Sequence, residues 1–504
     1  MSEICVASHH NSIAALLADA EFLALARRDG FLIELRMDYY SDLDIPNLDK
    51  ALAVFAPNVI ATFRHPLEGG KNAAAADADR LKYLQHACEH GVKYVDIEAR
   101  TPRPQFRKNG AKLILSYHDF QGLPAPQEGL LRLVTSMFDH PEIDICKIAC
   151  FPKTVDDSLP LLKLLIGIRE ARIPAIVLAM GEAGFWTRVV GPMFGAPLTY
   201  SRGEGAPGTA PGQPTWRDLE EIYRYRHIQP DWPVYGVIGN PIAHSLSPLL
   251  HNTALKELNL PGVYLPFKVE GDPVRFVESF APLNLRGISV TIPHKEAVMK
   301  ACTSIDPLTK SIGVANTLVW RDGHWVGMNT DAVAAAESLE QLAGNLKDKK
   351  VVILGAGGAA RGVGFGIKER GAKLFVLNRT REKGEALALA LGGKAIDLNE
   401  FRALNADIIV NTTPLGMHPN VDQAPLDKED IPQGSIVFDT VYNPLRTRLL
   451  KLAEERGCRT LEGAAMFVGQ GIRQFELFTG VQPPKAAVES AVLNALKQRQ
   501  SRQR

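Results

Sequence analysis

From the N-terminus to about residue 228, short apolar runs alternate with longer amphipathic stretches, eight times over. The runs read EICVAS, FLIELRMD, VIATFR, YVDIEA, KLILSYHD, DICKIACF, AIVLAM and PLTYS. Between them lie stretches with helical spacing, such as DADRLKYLQHACEHG and DSLPLLKLLIGIREARI. Parallel strands need a crossover connection, and the crossover is usually a helix. Eight strand–helix units are the count of a (β/α)8 barrel, with an open doubly wound sheet as the competing α/β fold.

A barrel keeps its site at the C-terminal ends of its strands. Polar residues fall there: Glu34, Arg36, Arg64, His118, Lys147 and Arg188. Lys147 is the most demanding of them, because it interrupts the apolar run DICKIACF. An ammonium placed in a core costs several kcal/mol unless it is paired or gives up its proton. After the eighth run comes the loop RGEGAPGTAPGQPTW, too long for a simple turn and so a functional candidate. The segment WRDLEEIYRYRHI reads as a closing helix, and QPDWP as a linker.

The second half restarts with VYGVIG and the Ser-rich turn NPIAHSLSPLLHNTAL, then alternates strands and helices to about residue 331. DKKVVILGAGGAARGVGFGIKERGAKLFVLNRT forms a complete βαβ unit, more α/β pattern runs to about 460, and the last 45 residues read as mostly helical. Gly355 allows a tight turn and Gly357 lets the backbone approach a pyrophosphate. Gly358, Ala359 and the small Ala360 then open the helix. An NAD site carries an acidic residue at the end of the next strand, but here stand Asn378, Arg379, Thr380 and Arg381. Arg offers a fork of donors suited to a 2′-phosphate, so the reading is NADP. VNTTPLGM ends another strand of this sheet and puts Thr412 and Met417 where the nicotinamide end would lie.

Composition excludes several classes. Lys+Arg (57) and Asp+Glu (56) nearly cancel, so no global field points to nucleic acid or an anionic membrane. The basic run KQRQSRQR reads as a solvated, frayed tail. No apolar stretch approaches the roughly 18 residues of a spanning helix, and no signal or transit peptide is expected. Cysteines at 5, 88, 146, 150, 302 and 458 form no Cys-x-x-Cys and no paired Cys/His pattern. The expectation is reduced thiols, a cytoplasmic protein and no metal.

Glu34-Leu-Arg36, Arg64-x-x-x-Glu68, SYHDF with His118, CKIA with Lys147, Arg188, and TAPGQ with Gln213 together resemble type I 3-dehydroquinate dehydratase. NPIAHSLSP, SVTIPHK, VANTL, GMNTD, GAGGAAR, NRT and MFVGQG resemble shikimate dehydrogenase. In this order the chain is similar to bifunctional dehydratase–dehydrogenases of the shikimate pathway. The resemblance implies a dehydratase barrel over 1–228, a substrate-binding lobe over 233–331 completed by 461–504, and an NADP-binding Rossmann-like lobe over 332–460. Its small-molecule substrates are 3-dehydroquinate and 3-dehydroshikimate or shikimate.

The resemblance gives Lys147 a chemistry. A free lysine has a pKa near ~10.4; desolvation, with Arg64 or Arg188 nearby, lowers it and exposes a nucleophilic amine. Condensation with the C3 ketone makes an iminium that acidifies the C2 proton, and His118 is the matching base. Arg188 is implied on the substrate carboxylate, with Glu34, Arg36, Arg64, Glu68 and Gln213 around the hydroxyls and the imine. Thr209 is a departure, since the family usually has Ser before APGQ.

In the second half the resemblance makes Lys295 and Asp331 the proton-handling pair. It puts Ser245 and Ser247 on the carboxylate, and Thr291, Asn316, Asp331, Gln470 and Tyr442 on ring hydroxyls. Three alternatives stand beside it: a metabolite sensor built from the same domains, a quinate dehydrogenase using NAD, and an aldolase-like barrel joined to an unrelated reductase. The sensor would not need Lys147, His118, Lys295 and Asp331 together. The aldolase-like reading leaves His118 with TAPGQ and the paired serines unexplained.

Overall fold

The computed structural model describes residues 1–72, 74–102, 106–123, 127–139 and 142–502. The chain divides into two compact units. One comprises Met1–Pro233 with Pro261–Gly271 and Ser279–Asn284; the other comprises Val234–Leu260, Asp272–Glu278 and Leu285–Arg504.

The first unit holds an eight-stranded sheet: β1 (Glu3–Ala7), β2 (Phe31–Arg36), β3 (Val59–Thr62), β4 (Tyr94–Glu98), β5 (Lys112–Asp119), β6 (Ile145–Cys150), β7 (Ala175–Ala179) and β8 (Leu198–Arg202). They form one parallel sheet in the order β7-β6-β5-β4-β3-β2-β1-β8. The unbroken chain of neighbours selects the barrel over the doubly wound sheet, whose order would reverse partway. Among the described residues the β7–β8 seam carries no ladder. The short helix Phe185–Val190 bridges it: the Ala179 N–H donates to Thr187 Oγ1 (2.8 Å), and Thr199 Oγ1 donates to the Arg188 carbonyl (2.9 Å).

Side chains alternate in and out along each strand. Cys5, Leu32, Ile60, Tyr94, Ile114, Ile145, Ile176 and Leu198 fill the interior at the deep end. Two residues further along, the same inward face turns polar: Glu34, Asp96, Ser116 and Lys147 are all buried. Strand register therefore gathers the charges into one layer at the C-terminal mouth.

The second unit has two sheets. In one, Val234–Gly239, Leu285–Val290, Thr317–Arg321, His324–Met328 and Ser304–Ile305 lie side by side in that order. The other is wholly parallel, in the order Lys394–Ala395, Lys373–Leu377, Lys350–Leu354, Ile408–Asn411, Ile436–Asp439, Arg459–Leu461. Counted along the chain this is 3-2-1-4-5-6, the doubly wound order whose switch point lies between its first and fourth strands. That crevice is where Gly355 and Thr412 meet: a β-carbon on Gly355, which has φ +108°, would sit 2.9 Å from Thr412 Oγ1.

Two expectations need correction. WRDLEEIYRYRHI is not one helix: a wide helical turn at Asp218–Ile222 gives way to a 3-10 turn at Tyr225–His227, because Arg224 between them is left-handed at φ 50°. The tail is helical rather than frayed through Arg502, and its last two residues lie outside the described ones. Val488, Val492 and Leu496, at i, i+4 and i+8, are fully buried and anchor that helix. All six cysteines are free thiols, five of them buried. No described helix is long and apolar enough to cross a membrane.

Helix Gly358–Lys368 lies so close to helix Asp331–Ala343 that a β-carbon on Gly366 would overlap the Ala332 carbonyl. Gly366→Ala should therefore destabilise this unit by about 1–3 kcal/mol. The check is the thermal unfolding midpoint, and an unchanged midpoint would refute the close approach.

Candidate active sites

One cavity at the barrel mouth is lined by all nine barrel residues picked out from the sequence: Glu34, Arg36, Arg64, Glu68, His118, Lys147, Arg188, Thr209 and Gln213. Lys147 lies on the inward face of β6 with its Nζ 2.9 Å from Asp96 Oδ2 and 3.8 Å from the centre of the Tyr200 ring. Asp96 is fully buried and shared: Arg64 Nη1 lies 3.0 Å from its Oδ1, and Ser116 Oγ donates to the same oxygen at 2.6 Å. Burial alone would raise this carboxyl, but the Arg64 and Lys147 cations overcome it and hold the group ionised, well below the usual carboxylate range. Glu98 accepts from Arg64 at 3.0 Å and from Arg80 on its other oxygen.

Burial lowers the Lys147 amine from its ordinary value; Asp96 opposes the fall and Arg64 adds to it. The expected lowering is thus present, and of the two arginines expected to help it is Arg64 that does. His118 faces the cavity from β5. Its backbone N–H donates to Glu68 Oε2 and its Nδ1 lies 3.0 Å from the same oxygen. With Glu68 ionised, that contact puts the ring proton on Nδ1 and leaves Nε2 as an acceptor. Burial, then the Arg64 and Lys147 charges, push the imidazole well below its usual value, so it is neutral at pH 7. Burial also raises Glu68, to about 7.

Arg188 is 1% exposed, its Nε has no hydrogen-bond partner, and its Nη2 donates only a long 3.3 Å bond to the Pro211 carbonyl. Burial lowers the guanidinium to about 10, with no carboxylate contributing. It is a buried cation facing the cavity without an anion among the described residues. Arg36 differs, since it is held bidentately by Asp38 at 2.9 and 2.8 Å rather than by Glu34. Glu34 accepts from Thr62 Oγ1 at 3.0 Å. Gln213 organises its loop: Oε1 accepts from the N–H groups of Thr209 (2.7 Å) and Ala210 (3.2 Å), and Nε2 donates to Thr209 Oγ1 (3.3 Å). The threonine's hydroxyl thus keeps a place in the loop.

In the second unit Lys295 Nζ and Asp331 Oδ2 are 2.5 Å apart. They lie against the glycine-rich helix: a β-carbon on Gly358 would sit 3.7 Å from Lys295 Cδ, and one on Gly362 would sit 3.3 Å from Asp331 Cβ. Two adjacent parallel strands deliver the neighbouring loops together, for the Asn240 N–H donates to the Ile292 carbonyl (3.0 Å) and the Thr291 N–H to that of Ile238 (3.0 Å). Ser245 and Ser247 follow on one loop and Thr291 and Lys295 on the other. Ser245 Oγ accepts from the Ser247 N–H at 3.2 Å. Asn316 is bound up internally: its Oδ1 accepts from the Thr330 N–H and Thr317 Oγ1, and its Nδ2 donates to Thr330 Oγ1. Tyr442 stacks on Phe467 with centroids 4.5 Å apart, and Gln470 Nε2 donates to the Phe467 carbonyl.

The eleven-residue helix Gly358–Lys368 starts with no side-chain cap at Gly357, and a β-carbon there would meet nothing within 4 Å. Among the described residues no side chain caps its first N–H groups, which leaves them for an anion. Ala359 and the fully buried Ala360 follow in its first turn. Asn378 turns its Nδ2 to the Thr380 carbonyl, Arg379 is exposed, and Arg381 pairs with Glu385 at 2.8 Å. Thr412 Oγ1 donates to the Leu354 carbonyl, and Met417 is exposed.

Sequence reasoning missed Asp96 and Glu98. The signal was there: β4 reads YVDIE, and two carboxylates at i and i+2 on a buried strand must both point inward.

Residues 4–230 match the type I 3-dehydroquinase family. Residues 237–318 match the shikimate dehydrogenase substrate binding domain, 337–427 the shikimate/quinate 5-dehydrogenase family, and 463–493 the shikimate 5′-dehydrogenase C-terminal domain. The bifunctional 3-dehydroquinate dehydratase/shikimate dehydrogenase, chloroplastic, of Arabidopsis thaliana is 36% identical over 479 residues, covering 90% of this chain and 78% of its own. The shikimate dehydrogenase (NADP+) of Bacillus licheniformis is 41% identical over 276 residues, 52% of this chain and 98% of its own. A crystal structure of shikimate dehydrogenase in complex with NADP+ superposes with a TM-score of 0.51 at 36% identity, covering 53% of this chain and 97% of its own.

Asp96 is the charge that opposes the lowering of the Lys147 amine. Asp96→Asn should therefore move the rising limb of Lys147 reactivity to lower pH, by about one unit or more. Labelling with an amine-reactive reagent across pH, read by peptide mass spectrometry, checks it. A limb that stays put or moves up would contradict the assignment.

Proposed function

The chain belongs to the bifunctional 3-dehydroquinate dehydratase/shikimate dehydrogenase family, and on that premise we infer that it runs two consecutive reactions. It dehydrates 3-dehydroquinate to 3-dehydroshikimate and then reduces that product to shikimate with NADPH. The observation that carries the first reaction is the pairing, in one cavity, of a lysine amine lowered by burial with a histidine held neutral.

In the proposed dehydration, Lys147 Nζ attacks the C3 ketone and water leaves, giving an iminium. The iminium draws electrons from the adjacent C2–H bond. His118 Nε2 takes that proton while Nδ1–H stays on Glu68, then returns a proton as the C1 hydroxyl departs as water. Hydrolysis of the iminium frees the lysine. The unpaired Arg188 guanidinium supports an assignment to the substrate carboxylate, because only an arriving anion balances it. Glu34, Arg36, Arg64 and Gln213 would then meet the hydroxyls.

For the reduction, Lys295 and Asp331 would share and deliver the proton that the ketone oxygen gains on becoming an alcohol. NADPH, when bound, supplies the hydride. The uncapped glycine-rich helix start suits its pyrophosphate, and Arg379 with Arg381 suits its 2′-phosphate. Ser245 and Ser247 would hold the substrate carboxylate, with Thr291, Asn316, Gln470 and Tyr442 bordering the ring. We assign residues 1–228 to the dehydratase, 233–331 with 461–504 to the substrate lobe and 332–460 to the NADP lobe. Six free thiols support a cytoplasmic site of action.

The purified chain given 3-dehydroquinate and NADPH alone should oxidise NADPH. Lys147→Met should abolish this while leaving reduction of added 3-dehydroshikimate intact, and Asp331→Asn should slow that reduction by about 10²–10⁴-fold. A silent wild-type chain that still reduces 3-dehydroshikimate would mean a barrel that binds without turning over. Replacing Arg379 and Arg381 by Ala should erode the preference for NADPH over NADH by about tenfold or more, the loss of one to two charge-assisted bonds. Equal kcat/KM ratios in variant and wild type would refute the 2′-phosphate assignment.

A further inference from the structure

Outside both sites, Asp49, His86 and His90 bring one ligand atom each within 4.8 Å of one another. Asp49 lies on helix Ile45–Phe55, His86 on helix Asp77–Glu89, and His90 is that helix's C-cap. His86 Nε2 is 2.6 Å, and His90 Nε2 3.6 Å, from the same Asp49 oxygen, and the two rings face each other at 4.2 Å. His90 Nδ1 is 2.8 Å from the His86 carbonyl. A carbonyl only accepts, so Nδ1 carries a proton there, and Nε2 is the nitrogen turned towards Asp49.

That arrangement exceeds what a surface ion pair needs. An imidazole that donates its far N–H to a backbone carbonyl and turns the other nitrogen inward is the usual outer-shell support of a metal-ligating histidine. The i, i+4 spacing stacks both rings on one helix face, and the C-terminal helix end favours a cation. Two imidazoles and a carboxylate suit Zn²⁺, whose bonds of about 2.0–2.2 Å require only small rotamer adjustments to spread these atoms into a tetrahedral half-shell.

We propose that Asp49, His86 and His90 form a Zn²⁺ site, with water in the fourth position, that clamps helix Ile45–Phe55 to helix Asp77–Glu89. None of the three lines the barrel cavity, so the ion acts on stability and not on the reaction.

The test uses the untagged, full-length chain after chelator treatment, with Zn²⁺ as the probe. Equilibrium dialysis should show one ion held at micromolar Zn²⁺, and Zn²⁺ should raise the melting temperature. His90→Gln and Asp49→Asn should each weaken uptake by about tenfold or more and remove the thermal shift. Dehydratase activity of His90→Gln should equal that of the wild type, which establishes that the barrel is folded. Co²⁺ should give visible absorption bands of tetrahedral type in the wild type only. Uptake equal in wild type and both variants, or no uptake by the wild type, would overturn the proposal.

Discussion

The barrel's buried charges depend on Asp96. Lys147 and Arg64 bring two positive charges into a layer closed to water, and each alone would carry a desolvation cost of several kcal/mol. One fully buried carboxylate meets both, while Glu98 shares the same Arg64 Nη1 through one oxygen and holds Arg80 through the other. The lysine is thereby kept from losing its proton outright, yet burial and Arg64 still leave it more acidic than a lysine in water. A more strongly anionic pocket would hold it as a fixed ammonium, and an apolar one would not hold its head group in place.

Burial and the same field act in the same sense on His118. Arg64 and Lys147 disfavour a third positive charge, so the imidazole stays neutral, and Glu68 fixes which nitrogen carries its proton. Burial raises Glu68 to about 7, against the lowering pull of Arg64 and of Arg100, whose Nε lies 3.0 Å from Glu68 Oε1. One electrostatic arrangement thus yields both an amine with a lone pair within reach and a base ready to accept. Opposed shifts of neighbouring groups are what acid–base assignment at neutral pH requires.

The eight β/α units, the glycine turn and the basic strand end were legible because each has a local signature: a period, a forced φ, a missing acid. The barrel residues were legible because Lys147, His118 and the arginines are costly on strands unless used. Asp96 and Glu98 escaped because acids near a strand end read as solvated until the register shows them pointing inward. Arg36 finding Asp38 rather than Glu34 depends on the turn after β2, and the left-handed Arg224 that splits the closing helix has no composition signal. The cluster of Asp49, His86 and His90 went unread: His86-x-x-x-His90 was not singled out, and Asp49 comes from a different helix and needs the tertiary fold.

The two lysines of the proposed mechanism show how one side chain takes two roles. Lys147 is 5% exposed and shares its carboxylate with Arg64, so its charge is only partly matched and its amine can attack carbon. Lys295 is 17% exposed and has Asp331 at 2.5 Å, a short contact suited to passing a proton rather than forming a bond to carbon. What fixes Lys295 is backbone packing. The closeness of Gly358 to its stem, and of Gly362 to Asp331, holds the pair against the first turns of the nucleotide helix. A β-carbon at Gly362 would crowd Asp331 Cβ at 3.3 Å, whereas one at Gly358 would make only an ordinary contact with the Lys295 stem at 3.7 Å. The glycine spacing proposed for the pyrophosphate therefore also brings the Lys295–Asp331 pair against the same helix.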